Sequence, residues 1–294
     1  MMKRSAILAM TLPAVWGWCA FARGEDPAKV KHEYDISYSK PGGEDLTLDL
    51  ARPSEGDGPF PAVVIIHGGG WTAGDKKSNR PILDKFAEHG YVAISPRYRF
   101  CPKDTFPAQV VDVKASVRWL RTHAKEYHID PDHIGAMGFS AGGHLSLMLG
   151  MTGPDDGLEG EPGENAPSSK VQAVVNFFGP TDLAADDIPE ASKPLVRNFL
   201  GGTALEKPET AKKASPLTFV SKDDAPVLTF QGTKDPLVPA TQAIKLGEAL
   251  TKVGVPGRVE LILGGGHGWR GEELDRTAKE SMEFFDKQLK PEKK

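Results

Sequence analysis

The stretch Ile134-Gly135-Ala136-Met137-Gly138-Phe139-Ser140-Ala141-Gly142-Gly143-His144-Leu145 governs the reading of the whole chain. A short apolar run leads into Gly-x-Ser-x-Gly, and an apolar, small-residue run follows, which is the order strand, sharp turn, helix. A serine hydroxyl is a poor nucleophile until such a turn exposes it beside a base and in front of hydrogen-bond donors. The flanking glycines permit the turn and leave room for a reacting group. Well upstream, His67-Gly68-Gly69-Gly70-Trp71 follows another apolar run. Its backbone N–H groups suit a developing oxyanion.

Outward from these motifs the chain alternates between two textures. Ala62–Ile66 is a continuous apolar run, as expected of a strand buried on both faces. Similar runs recur at Tyr91–Ile94, Ile134–Met137, Val171–Phe178, Val227–Phe230 and Val259–Leu263. Between them Val110, Val113, Val117, Leu120 and Ala124 share one helical face, as do Ala243, Leu246, Leu250 and Val253, and later Leu274, Ala278, Met282, Phe285 and Leu289. This pattern predicts an α/β fold, a mostly parallel twisted sheet with helices on both faces. Ahead of it, Tyr34–Ser39 and Leu46–Ala51 alternate like antiparallel strands joined through Pro41-Gly42-Gly43. Thr152–Ser169 reads as an exposed loop, and Leu183–Leu217 as short helices inserted over the crevice, so that about 152–217 forms a loop and insertion.

In parallel sheets ligands gather at the carboxyl ends of the strands, and the candidate acid and base both fall there. Asp235 lies in Gly-Thr-Lys-Asp-Pro-Leu-Val-Pro just after Val227–Phe230, and its expected role is to orient and stabilise an imidazole. Asp182 also follows a strand and is its rival, with helix-cap or turn duty as the plainer explanation. His267, in the glycine-rich loop 264–268, is the candidate general base and acid. The candidate oxyanion donors are the N–H groups of Gly69, Gly70 and Ala141. Trp71, Trp269 and Phe139 flank these loops and are candidates for the substrate pocket. His67 is expected to brace the glycine loop and His144 to pack one turn along the nucleophile's helix. No metal-ligand or phosphate-loop spacing is present, and no cofactor is expected.

Composition sets the outer limits. With 294 residues, 39% apolar and 26% charged, the chain suits one large globular α/β domain. Residues 1–22 stand apart: Lys3 and Arg4, then a mostly apolar run, then Ala20-Phe21-Ala22. They read as a secretory signal peptide, leaving 23–294 as a single domain that is secreted or periplasmic, with no membrane span after cleavage. Losing Lys3 and Arg4 would take the formal charge from −4 to −6, which argues against nucleic acid as a partner. Cys101 would be the one thiol left, so the fold must rest on its core.

From His67 to Trp269 the chain resembles an α/β-hydrolase esterase. The His-Gly-Gly-Gly run, together with Tyr98-Arg99-Phe100-Cys101-Pro102 and Phe106-Pro107-Ala108, is similar to the hormone-sensitive-lipase-like esterases. Phe139 stands where that family usually has aspartate. The His-Gly-Gly-x-Trp run with Gly-Phe-Ser-Ala-Gly-Gly looks closer to the bacterial feruloyl/acetyl-xylan-esterase-like group (BD-FAE-like) and its kynurenine formamidase relatives. The resemblance implies the α/β-hydrolase fold and the triad Ser140, Asp235, His267. It implies hydrolysis of a small ester or an acylated polysaccharide, with acetyl or feruloyl groups of hemicellulose preferred. The alternatives are a general short-acyl carboxylesterase, an arylformamidase, a serine peptidase and a non-catalytic binding protein on the same fold.

Overall fold

A computed structural model describes residues 30–290 of the chain; the expected signal peptide lies outside the described residues. Eight strands form one sheet in the order β1-β2-β4-β3-β5-β6-β7-β8. They are β1 (Val30–Ser39), β2 (Leu46–Pro53), β3 (Phe60–Ile66), β4 (Val92–Pro96), β5 (Ile129–Phe139), β6 (Ala173–Phe177), β7 (Val227–Gly232) and β8 (Gly257–Ile262). β1 and β2 pair antiparallel, as does β2 with β4, and every pairing from β4 onward is parallel. The chain has the α/β-hydrolase fold. Asp130–His133, whose sequence Asp-Pro-Asp-His suggests a helix-to-strand turn, belongs to β5, whose pairing with β3 is irregular there.

The unbroken apolar runs follow from burial on two sides. Ala62, Val64 and Ile66 enter one core and Val63 and Ile65 the other, because successive side chains of a strand point to opposite faces. Helices α2 (Ala108–Thr122), α4 (Ala141–Met151) and α7 (Ala240–Val253) supply the first core, with Val113, Leu145 and Leu246 among its members. Helices α1 (Arg80–Glu88) and α8 (Glu272–Leu289) supply the second through Phe86 and Phe285. A four-residue helix, α3 (Ala124–Tyr127), follows α2, and the segment between β6 and β7 carries α5 (Lys193–Leu200) and α6 (Pro208–Lys213). The 152–169 loop is clasped by Lys114, which reaches the Thr152 carbonyl and Glu159, and by Arg118, which also binds Glu159. No described helix is long and apolar enough to cross a membrane.

The strand order places the site. From β3 the chain moves outward to β4, then jumps back across β3 to β5. The carboxyl ends of β3 and β5 therefore flank the point where the winding reverses, and a crevice opens there. The His67–Trp71 loop leaves one of these strands and Ser140 the other.

Candidate active site

Ser140 sits between β5 and α4 with φ 54° and ψ −119°, a backbone conformation that side-chain-bearing residues seldom adopt. Two backbone hydrogen bonds hold it: its N–H donates to the Phe177 carbonyl (2.9 Å), and its carbonyl accepts from His144 N–H (3.0 Å). The turn is too tight for larger residues beside it. A Cβ on Gly142 would lie 2.1 Å from the Ile66 carbonyl oxygen, and one on Gly138 2.2 Å from that of Gly142. The spacing of the motif is thus a packing requirement between the nucleophile's turn and the end of β3.

The structure brings Ser140, His267 and Asp235 together. His267 Nε2 stands 2.9 Å from Ser140 Oγ, and its Nδ1 stands 2.8 Å from Asp235 Oδ2. The Asp235 side chain is fully buried and His267 is 9% exposed. Asp235 Oδ1 accepts from the N–H groups of Leu237 (2.8 Å) and Val238 (3.0 Å), while Oδ2 also accepts from Gln231 Nε2 (3.0 Å). A carboxylate oxygen only accepts, so Nδ1 carries the ring proton and Nε2 offers its lone pair to the Ser140 hydroxyl. Phe178 packs against the imidazole with ring centroids 4.8 Å apart.

Asp182 has other work. Its Oδ1 accepts from Ala184 N–H (3.0 Å), and the N–H groups of Thr181 and Asp182 donate to Gln242 Oε1 (2.8 and 2.7 Å). It closes a turn on the cleft wall, within no hydrogen bond of His267.

Gly70, Trp71, Ser140 and Ala141 line one cavity of about 40 Å³. Ala141 is the first residue of α4, so its N–H has no partner within the helix. Neither its N–H nor that of Gly70 donates to a protein acceptor among the described residues. Gly69 lies outside the cavity lining; its carbonyl accepts from Thr72 and Ala73 N–H (3.1 and 3.2 Å) and so closes the loop's turn. The rest of the wall is mostly apolar: Leu183, Ile188, Leu195, Val196, Leu237 and Val238. Sequence reasoning set short helices of 183–217 over the crevice but named none of these wall residues, although apolar residues at 195, 196, 199 and 200 mark one face of α5. Gln231, a polar residue at a strand end, carries no comparable signal.

The aromatic candidates divide. Trp71 touches the cavity, but its ring is buried against Phe199 (centroids 4.3 Å) and its indole N–H donates to His144 Nδ1 (3.3 Å). Phe139 and Trp269 are corrections to the expected pocket, since neither lines it. Alternation along β5 sends Phe139, like Met137, toward the second core, where it meets Phe177 at 4.9 Å. Trp269 packs near Phe178 (5.4 Å) and donates to Thr277 Oγ1 on α8 (2.9 Å).

His67 and His144 are buried and neutral. His67 Nδ1–H donates to the Gly68 carbonyl (2.8 Å) and its ring stacks on Tyr98 (4.4 Å). Burial pushes both imidazoles down to about 4 from an ordinary 6.5. In this window the unfolded chain binds protons that the folded chain refuses. Their contribution to stability is therefore complete above about pH 6.5 and lost as pH falls toward 4. Each adds a slope of at most about 1.4 kcal/mol per pH unit. Urea unfolding between about pH 7 and about pH 4.5 should show stability falling. In His144→Gln the dependence should weaken by about one proton, and an unchanged slope in that variant would remove His144 from the account.

Comparison with known proteins adds an independent line. The BD-FAE family model matches residues 48–250. The probable carboxylic ester hydrolase LipM of Mycobacterium tuberculosis is 35% identical over 230 residues, which are 76% of this chain and 52% of LipM. The chain thus spans about half the length of the curated relatives it matches. Among solved structures, a truncated carbohydrate esterase from gut microbiota superposes with a TM-score of 0.77 at 28% identity, covering 91% of this chain and 99% of that one. A propionate-bound esterase of Thermogutta terrifontis superposes with a TM-score of 0.74 at 30% identity, covering 91% and 97%.

Proposed function

Because the chain belongs to the BD-FAE family, we propose that it is a serine hydrolase of carboxylic esters with a short acyl group, working through an acyl-enzyme on Ser140. The observation that carries this reading is the unbroken chain Asp235–His267–Ser140, ending at the cavity that Gly70 and Ala141 also line. Ser140 Oγ attacks the ester carbonyl carbon while its proton passes to His267 Nε2. The carbonyl oxygen takes up negative charge and accepts from the N–H groups of Ala141 and the glycine loop. As the intermediate collapses, the C–O bond to the alcohol breaks and His267 protonates the leaving oxygen. Water then attacks the acyl-enzyme, giving its proton to His267, and the acid departs as Ser140 recovers the proton.

The cavity supports a short acyl group. It is small, about 40 Å³, and its wall is mostly aliphatic, which favours a short chain. A feruloyl ring is much larger, and the partly buried Phe139 and Trp269 pack against the opposite core and do not line this cavity. Within the expected substrates, acetyl groups on hemicellulose-type polysaccharide are therefore favoured over feruloyl groups, in keeping with the carbohydrate esterase among the neighbours. A secreted or periplasmic setting suits such a polymer. The general short-acyl carboxylesterase is the second reading, favoured by the propionate-bound neighbour.

A substrate panel tests both. For p-nitrophenyl esters, kcat/KM should be greatest with acetate or propionate and fall about tenfold or more by octanoate, since the longer chain has no wall to fill. Methyl ferulate and N-formylkynurenine should be poor substrates, and acetate should be released from acetylated xylan. Undiminished turnover of octanoate or ferulate would contradict the short-acyl assignment. Turnover of small acetates without any release from xylan would leave the second reading standing.

A further inference from the structure

We propose that His144 is a positioning residue for the oxyanion loop: it accepts the Trp71 indole N–H and so fixes the Gly70–Trp71 backbone against the nucleophile's helix. The inference rests on Ser140 being the nucleophile and goes beyond the triad to what holds its oxyanion partners still.

Three contacts carry it. Trp71 Nε1–H points at His144 Nδ1 (3.3 Å), and His144 Nε2–H donates to the Ala214 carbonyl just after α6 (2.7 Å). A carbonyl only accepts, so Nε2 must carry the proton and Nδ1 must be the bare acceptor. His144 is completely buried, and its burial keeps the ring neutral, the form able to accept at Nδ1. The ring stands edge-on to both Trp71 (5.2 Å) and Phe199 (5.4 Å), while Trp71 stacks flat on Phe199. The imidazole is therefore held on three sides.

The loop needs such a hold. Gly70 and Trp71 both have φ 58°, and for tryptophan this is a strained conformation that relaxes unless its surroundings fix it. The Trp71 carbonyl is fixed by Cys101, through its backbone N–H (3.0 Å) and its thiol (3.3 Å). The side chain is fixed by His144 and Phe199. His144 lies one turn beyond Ser140 on α4, whose first residue is Ala141. The indole bond thus references one side of the oxyanion site to the helix that supplies the other. Preorganised donors stabilise a transition state only while their geometry holds.

Three variants test this. His144→Phe fills the space but removes both hydrogen bonds. Trp71→Phe keeps the stacking and removes the indole donor. His144→Gln retains an acceptor toward Trp71 and a donor toward Ala214. With p-nitrophenyl acetate, His144→Phe and Trp71→Phe should each lower kcat about 10- to 100-fold with KM nearly unchanged, the signature of an interaction made in the transition state. The double variant should be no worse than the poorer single one, because both remove the same link. His144→Gln should restore most of the rate. A second readout needs no turnover: hydrogen exchange at the Trp71 indole N–H should accelerate in His144→Phe and stay slow in His144→Gln. If His144→Gln is as slow as His144→Phe, if the two losses multiply, or if indole exchange is unaffected, the proposal is overturned. Absence of ester hydrolysis in the wild type, with the exchange result intact, would instead refute the esterase reading and leave the contact standing.

Discussion

Ser140→Ala is expected to lower p-nitrophenyl acetate hydrolysis by a factor on the order of 10⁴ to 10⁶ while leaving the protein folded. The change removes one oxygen. The backbone hydrogen bond from Ser140 N–H to Phe177, the close approach of Gly142 to β3 and the buried face of α4 do not depend on it. What is lost is the atom 2.9 Å from His267 Nε2, and without it no acyl-enzyme forms. Covalent labelling gives a second measurement. The related Thermogutta terrifontis esterase is phosphorylated by paraoxon. The same reagent should add one diethylphosphoryl group to this chain, on the peptide containing Ser140, with release of p-nitrophenol. Ser140→Ala should take up none. Retained turnover, or labelling elsewhere at the wild-type rate, would reject Ser140 as nucleophile.

Asp235→Asn should produce the next largest loss, on the order of 10⁴ in kcat near neutral pH. The asparagine carbonyl can take over the N–H groups of Leu237 and Val238, which accepting Oδ1 now satisfies. Its amide nitrogen then faces His267 Nδ1 and Gln231 Nε2, where two donors already converge on Oδ2. To accept from the amide, His267 must move its proton from Nδ1 to Nε2, and Nε2 can no longer take the Ser140 proton. The substitution thus acts through a tautomer, with little change in shape. Asp182→Asn is the control, because Asp182 accepts from Ala184 and makes no hydrogen bond to His267. A greater loss of kcat in the Asp182 variant, or less than a tenfold loss in the Asp235 variant, would reverse their assignments.

The two motifs and the alternation of textures carried most of the architecture because each has a local cause. Apolar runs such as Ala62–Ile66 announce burial on both faces without reference to any partner. Ser140, Asp235 and His267 were legible because each sits in a turn-forming loop directly after such a run. The cavity was harder to foresee. Phe139 neighbours the nucleophile in sequence, yet the two-residue period of β5 turns it into the other core. Trp269 neighbours His267 but is drawn to Thr277 on α8. The wall comes from the 183–196 segment, which the sequence places over the crevice only as a whole, and from residues 237–238; which side chains face Ser140 is set by the tertiary fold. Gln231 was hidden for a similar reason: its hydrogen bond to Asp235 is a property of the strand end that both share, with no trace in spacing or composition.

The triad also has a bearing on how reactivity arises during folding. His267 lies 127 positions from Ser140 along the chain and 32 from Asp235, and the three depart from β5, β7 and the loop after β8. Neither β7 nor β8 pairs with β5; β6 lies between β5 and β7, and only with it in place does the imidazole reach the hydroxyl. The elbow that exposes Ser140 likewise needs β3, through Ile66, and β6, through Phe177. A partly folded chain therefore carries an ordinary, unreactive serine. The chemistry proposed at Ser140 therefore requires the non-local pairings from β5 through β6 to β7, which secondary structure alone does not supply.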